Sequence, residues 1–142
     1  MKHTIKAETS IEIEASPSEV WKAITTPATI KKYLMGTNIS TNWKEGSAIT
    51  YEGEYQGRKY KDKGIIKKIV PEKIFQSTYW SSMGGKEDKP ENYNNVIYEL
   101  QPQNEQTVVT ISQDNINTEE ELKHMDQNWG MVLDSMKKLL EK

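Results

Sequence analysis

The chain has 142 residues and a formal net charge of −2, from 19 basic and 21 acidic side chains, which fits one domain spanning residues 1–142. The near balance of charge leaves no basic field, so no nucleic-acid partner is expected, and the absence of cysteine excludes disulfides and thiol catalysis. The N-terminus has no signal-peptide core and no apolar run could span a bilayer, so we expect a cytoplasmic protein.

The first quarter of the chain predicts one strand and two short helices. Apolar and polar side chains alternate over residues 5–14, as in a half-buried strand. The segment Ser16-Pro17-Ser18-Glu19 is a capping box with proline at the first helical position, so a helix should run to about Thr25. Thr26-Pro27 opens a second short helix, which Gly36 ends.

The middle of the chain is rich in predicted strands. Turn residues such as Gln56-Gly57 separate them, and the long segment Ser81 to Asn92 is predicted as a loop of the kind that often forms a lid. The strands are expected at 39–43, 49–55, 60–70, 73–80, 93–101 and 107–113.

The C-terminal segment predicts the longest helix. Thr118-Glu119-Glu120-Glu121 is a second capping box, and the helix should continue to about Leu140. Its apolar residues recur every three or four positions: Leu122, Met125, Trp129, Val132, Leu133, Met136, Leu139 and Leu140. A run of strands followed by a separate helix predicts an α+β fold, with a curved antiparallel sheet of six or seven strands around the helix. A cavity is expected where sheet and helix diverge.

An ordered set of motifs carries a family resemblance over nearly the whole chain. The motifs are Val20-Trp21-Lys22-Ala23-Ile24-Thr25, Trp43-Lys44-Glu45-Gly46-Ser47, Tyr60-Lys61-Asp62-Lys63-Gly64, Trp80-Ser81-Ser82, Pro90-Glu91-Asn92-Tyr93, Gln113-Asp114-Asn115 and Asn128-Trp129-Gly130-Met131-Val132-Leu133. The chain resembles the family of the activator of the heat-shock-protein-90 ATPase, within the START-like superfamily of polyketide cyclases and lipid-transport proteins.

The resemblance implies the helix-grip fold, with either a hydrophobic ligand or a chaperone partner. Asn128 stands where many relatives have glycine. The eukaryotic co-chaperone carries an additional N-terminal domain for which this chain is expected to have no room. The resemblance is therefore expected to transfer the fold better than chaperone activation.

The sequence offers no convincing catalytic or metal site. His3 and His124 are the only histidines, and a metal site needs three or four converging ligands. The acidic run 119–121 is explained by helix capping, and Ser81-Ser82 has no neighbouring histidine. We expect no catalytic residue, no metal and no cofactor.

Aromatic side chains are the informative set for function. Each one taken singly is more often ordinary core, but several converging around a gap would line an apolar pocket with a few fixed hydrogen bonds. The predicted cavity residues are Tyr33, Trp43, Tyr51, Tyr55, Tyr79, Trp80, Tyr98, Met125 and Trp129, with Met35, Met83, Met131 and Met136 as further adaptable lining. Gly53 should make room beside Tyr51 and Tyr55.

These residues predict a non-enzymatic domain that binds a hydrophobic small molecule, or a module associated with stress or with a chaperone. Flavonoids, fatty acids and sterol-like rings suit such a cavity. One alternative is a cyclase or aromatase acting on an aromatic or polyketide-like substrate, for which the cavity offers only tyrosines as acids or bases. The other is a protein–protein module that works as a homodimer or bound to a chaperone. The protein itself is expected to be a monomer or a homodimer.

Overall fold

The computed structural model describes residues 5–34, 36–82 and 85–141, and of Tyr55 only the backbone. The expectations placed on His3, Met35 and Met83 lie outside the described residues. The elements in chain order are β1 (Ile5–Ile13), α1 (Pro17–Thr25), α2 (Pro27–Tyr33), β2 (Asn38–Thr41), β3 (Ala48–Tyr55), β4 (Arg58–Val70), β5 (Ile74–Tyr79), a 3-10 turn (Pro90–Asn92), β6 (Asn94–Gln103), β7 (Gln106–Ile116) and α3 (Glu119–Leu140).

The strands form one antiparallel sheet of seven, in the order β1-β7-β6-β5-β4-β3-β2. Tight turns join neighbouring strands. Gln56 and Gly57 both have positive φ, 52° and 79°, which matches the twist that a two-residue hairpin turn requires. The expected α+β helix-grip fold is confirmed: a curved antiparallel sheet, two short helices after the first strand, and a long C-terminal helix.

At both predicted helix starts, the side chain of the N-cap residue makes its half of the capping box. The Ser16 hydroxyl accepts a hydrogen bond from the Glu19 backbone N–H at 3.2 Å, and the Thr118 hydroxyl accepts one from the Glu121 N–H at 3.1 Å. These bonds satisfy N–H groups that have no partner within the helix. They explain why α1 and α3 begin where the sequence predicts.

The solid core lies between the C-terminal half of α3 and the sheet. Leu133 and Met136 are 1% and 0% exposed. They belong to one cluster with Ile13, Val109 and Ile111 of the strands beside them. The end of α3 is tied to β1, because Lys137 Nζ donates to the Glu12 carbonyl at 2.7 Å and Glu141 Oε2 accepts from the Glu14 N–H at 2.8 Å.

Three local expectations differ from the structure. The strand expected at 39–43 ends at Thr41, since Trp43 has a φ of 58°, which a strand cannot accommodate. Strand β7 runs to Ile116 rather than Gln113. The space beside Gly53 is filled by the Tyr60 side chain, because a Cβ on residue 53 would clash with the Tyr60 hydroxyl.

Among the helices of the described residues, none is long and apolar enough to cross a membrane.

Candidate functional site

A cavity of about 660 Å³ separates the N-terminal half of α3 from the concave face of the sheet. It runs across β3 to β7, and the helix covers it from Glu121 to Val132. The lining is Leu34, Thr37, Tyr51, Glu54, Tyr60, Asp62, Tyr79, Trp80, Ser81, Lys86, Asn92, Asn94, Val96, Tyr98, Gln113, Ile116, Glu121, His124, Met125, Asn128, Trp129, Met131 and Val132. Its volume lies within the range of small-molecule sites.

Two aromatic pairs form much of the cavity wall. Tyr51 and Tyr79 meet edge to face, with ring centroids 5.4 Å apart and an interplanar angle of 72°. Tyr98 and Trp129 meet in the same way, at 6.0 Å and 82°, and this pair joins the sheet to α3. The rings make this part of the wall apolar, and edge-to-face packing fixes their orientation, so the wall has a defined shape.

A buried carboxylate, Asp62, also lines the cavity. It is 6% exposed and directly opposite Tyr51 in the β3–β4 register. Its Oδ2 accepts a hydrogen bond from the Tyr79 hydroxyl, and its Oδ1 accepts from the Ser82 backbone N–H at 2.8 Å and the Ser82 hydroxyl at 3.1 Å. These three donors compensate for the lost hydration of the buried charge.

The tyrosines of the wall are held in their neutral form. Burial raises the pKa of Tyr51 to about 12, against the pull of a hydrogen bond with Ser77, and the charge of Asp62 adds to the increase. Burial, and then the charge of Asp62, raise the pKa of Tyr79 well above its usual value. Burial does the same for Tyr98. At neutral pH these groups are hydrogen-bonding hydroxyls and not bases.

Further polar groups lie on the helix side of the cavity. The Trp129 indole N–H donates to Gln113 Oε1 at 2.8 Å, and Gln113 is itself buried. Within the described part of the chain, the Tyr98 hydroxyl and the Asn128 amide, which both line the cavity, make no hydrogen bond to protein. They can therefore give or accept one from a bound molecule.

The predicted lid is anchored over one end of the cavity. The Trp80 indole N–H donates to the carbonyls of Lys86 and Glu87, at 3.2 and 3.1 Å. Lys63 Nζ lies 2.5 Å from Asp88 Oδ2 and 5.8 Å from the centre of the Trp80 ring. The described part of this loop, residues 85–92, is thus held to the outer face of the sheet, and Lys86 and Asn92 form a wall of the cavity.

The structure brings together six of the predicted cavity residues: Tyr51, Tyr79, Trp80, Tyr98, Met125 and Trp129. Trp80 borders the cavity, while its indole binds the loop. Tyr33 lies apart from it, in the core, and Trp43 is half-buried against that core. The Tyr33 hydroxyl donates to the Ala23 carbonyl at 3.1 Å, and Trp43 packs on Phe75 with centroids 5.8 Å apart. The side chain of Tyr55 lies outside the described residues.

Asp62 is the main residue that the sequence-based reasoning missed. A signal for it exists in β4, where the inward-facing positions Asp62, Gly64 and Ile66 alternate with exposed residues. An acidic residue on the buried parity of a strand needs partners inside the fold. Its position within a run of charges, Lys61-Asp62-Lys63, conceals that signal.

Among the residues described, no group of three or more His, Cys, Asp or Glu could hold a metal ion.

Comparisons with known proteins agree with this architecture. Residues 14–141 match the sequence model of the family described as "Activator of Hsp90 ATPase homolog 1-like protein". The chain belongs to this family. A search of the curated proteins finds no significant match to the chain.

Several solved structures superpose on almost the whole domain. The protein ChR145 of Cytophaga hutchinsonii is 39% identical, with a TM-score of 0.87 over 99% of this chain and 97% of that one. The Aha1 dimer of Colwellia psychrerythraea is 24% identical, with a TM-score of 0.77 over 96% of each chain. CalU16 of Micromonospora echinospora is 18% identical, with a TM-score of 0.73 over 98% of this chain and 87% of that one. The last two similarities support the helix-grip fold alone.

Proposed function

We propose that this member of the family binds a hydrophobic small molecule in the cavity between the sheet and α3. The observation that carries the proposal is the cavity of about 660 Å³, bounded by edge-to-face aromatic pairs. An apolar wall with a few oriented polar groups is typical of small-molecule sites. The hydroxyl of Tyr98 and the amide of Asn128 supply such groups.

Binding fits the site better than catalysis does. The cyclase or aromatase alternative needs a positioned acid or base, and Asp62 is a carboxylate inside the cavity, which the sequence-based reasoning did not foresee. However, both of its oxygens already accept hydrogen bonds, and the pKa of Tyr79 is raised well above its usual value. A group that gives up its proton only at high pH is a poor acid at neutral pH. The arrangement therefore favours recognition of a ligand.

The test uses N-phenyl-1-naphthylamine, a neutral fluorescent probe whose emission rises in an apolar site. The probe should bind the purified protein with increased emission and should raise the melting temperature, because a ligand that binds the folded state stabilises it by mass action. Met125→Trp places a large ring at the half-buried helix wall of the cavity and should weaken binding about tenfold or more.

The matched control is Gln127→Trp, which adds the same ring on the exposed side of α3, away from the cavity lining. Its affinity for the probe should equal that of the unchanged protein. The proposal fails if the probe does not bind, or if Met125→Trp and Gln127→Trp bind it equally well.

Membership of the family supports a second candidate, association with a chaperone. This candidate places the function on the protein surface. Met125→Trp and Gln127→Trp should therefore affect chaperone binding differently from probe binding. A chaperone contact on the exposed side of α3 would be lost in Gln127→Trp, and binding of the probe would not. Analytical ultracentrifugation of the protein with a purified chaperone of the 90-kilodalton class would detect such a complex.

A further inference from the structure

The charges of the cavity are mainly negative. Three acidic residues and one basic residue line it: Glu54, Asp62, Glu121 and Lys86. Only Asp62 is buried, whereas the others lie at the rim. Lys86 Nζ is 4.0 Å from Glu121 Oε2, so the single cation already has an anionic neighbour. Inside the cavity, a charged ligand therefore meets the hydrogen-bonded carboxylate of Asp62, which no cation of the described residues neutralises, and no buried cation among the described lining residues.

Asp62 retains capacity for one more donor. A carboxylate oxygen can accept about two hydrogen bonds. Oδ1 accepts two from Ser82, whereas Oδ2 accepts one from Tyr79. One position at Oδ2 is left for a donor from the ligand.

The aromatic wall beside Asp62 suits the same kind of group. Tyr51 lies opposite Asp62 in the strand register, and Tyr79 packs edge to face against Tyr51. The faces of aromatic rings attract cations, and this attraction is stronger where water is excluded. A positive head group would therefore be stabilised both by the carboxylate and by the rings next to it.

We propose that the cavity selects a ring-bearing amphiphile with an ammonium head group, which donates a hydrogen bond to Asp62, and rejects carboxylates such as fatty acids. This inference rests on the proposed function and adds the chemical class of the ligand. An anionic head group would face Asp62 at short range in a site of low dielectric constant, where like charges repel strongly. An ammonium group gains a charge-assisted hydrogen bond at the same place.

Three probes with one skeleton test the selection. Each has a naphthyl ring on a four-carbon chain, which ends in an ammonium, a hydroxyl or a carboxylate. By isothermal titration at pH 7, the ammonium probe should bind at least about tenfold tighter than the carboxylate probe, with the alcohol between them. Equal affinities, or tightest binding of the carboxylate, would overturn the inference.

Asp62→Asn links the selection to this residue. The variant keeps the shape of the side chain and removes its charge, so the ammonium probe should lose about tenfold in affinity while the alcohol changes little. Asp134→Asn is the matched control, since Asp134 is an exposed carboxylate that pairs with Lys138 on the C-terminal half of α3, away from the cavity lining. This variant should keep the full preference for the ammonium probe.

N-phenyl-1-naphthylamine separates the two proposals. If this neutral probe binds Asp62→Asn as it binds the unchanged protein, the variant is folded and its cavity is intact. If the neutral probe binds and the ammonium, hydroxyl and carboxylate probes bind with equal affinity, the proposed function stands and the inference about charge is wrong. Failure of all four probes would overturn both.

Discussion

The two halves of α3 have the same apolar periodicity and opposite surroundings. In the C-terminal half, Leu133 and Met136 are buried against the sheet and do not line the cavity. In the N-terminal half, Leu122, Met125 and Trp129 are only half-buried, and the last two line the cavity. An apolar stripe at helical spacing therefore marks the face that turns inward, but it does not distinguish a packed core from a ligand site.

The anchoring of the helix differs in the same way. Lys137 and Glu141 tie the end of α3 to backbone groups of Glu12 and Glu14. The N-terminal half contacts the sheet through the Trp129–Gln113 hydrogen bond and the Tyr98–Trp129 ring pair. Both contacts of the N-terminal half involve Trp129, so a ligand beside the first turns of α3 would leave the anchors of the C-terminal half in place.

The largest expected effect is the loss of a core side chain in the C-terminal half. Leu133→Ala should lower the free energy of unfolding by about 3–4 kcal/mol, because it leaves a void where the surroundings are fully packed. Urea denaturation followed by circular dichroism measures the change. A loss below about 1 kcal/mol would mean that this half of the helix also borders open space.

Trp129→Ala should have an intermediate effect, of about 2 kcal/mol, below the 3–5 kcal/mol typical of a fully buried tryptophan. The stripe alone places Trp129 at the centre of the buried face, but the side chain is half-buried and faces the cavity. Trp129→Phe keeps a ring against Tyr98 and gives up the hydrogen bond to Gln113, so it should recover part of the loss. A loss in Trp129→Ala as large as that in Leu133→Ala would remove the distinction between the two halves.

Alkaline pH tests whether the cavity wall excludes water. Burial raises the pKa of Tyr98 well above its usual value of 10.0. Below pH 10 both the folded and the unfolded chain keep this proton. Above pH 10 the unfolded chain releases it and the folded chain does not, so stability falls as the pH rises, by about 1.4 kcal/mol per pH unit for one such group.

Tyr98→Phe removes this contribution without breaking a hydrogen bond to a described residue. Its stability should be close to that of the unchanged protein at pH 7 and should fall less steeply between pH 10 and 12, as measured by denaturant titration at each pH. Parallel pH profiles for the two proteins would show that the Tyr98 hydroxyl is well hydrated.

Among the truncations to alanine, the smallest effect on stability is expected from Met125→Ala. The side chain is half-buried and borders the cavity, so truncation should cost less than about 1 kcal/mol and mainly enlarge the site. Affinity for N-phenyl-1-naphthylamine should change more than stability does. A loss comparable with that of Leu133→Ala would indicate that side chains close the space around Met125.

The order and type of the elements could be predicted because they depend on short-range patterns. The alternation in β1, the hairpin turn at Gln56-Gly57 and the capping boxes at Ser16 and Thr118 are all decided by neighbouring residues. Together with the resemblance, they were sufficient for the α+β helix-grip fold. Element ends such as Thr41 were less well predicted, since the positive φ of Trp43 depends on contacts beyond its neighbours.

The sequence by itself determined which residues turn inward, whereas only the tertiary structure decided which of them surround open space. Tyr33 packs in the core, Trp43 packs against it, and Tyr51 and Tyr98 line the cavity, although all four were predicted alike. The reason is that periodicity reports the direction of a side chain relative to its own element. The distance between α3 and the sheet, and with it the burial of Asp62 beside Tyr79, follows from the curvature of the sheet and from anchoring contacts distant in sequence.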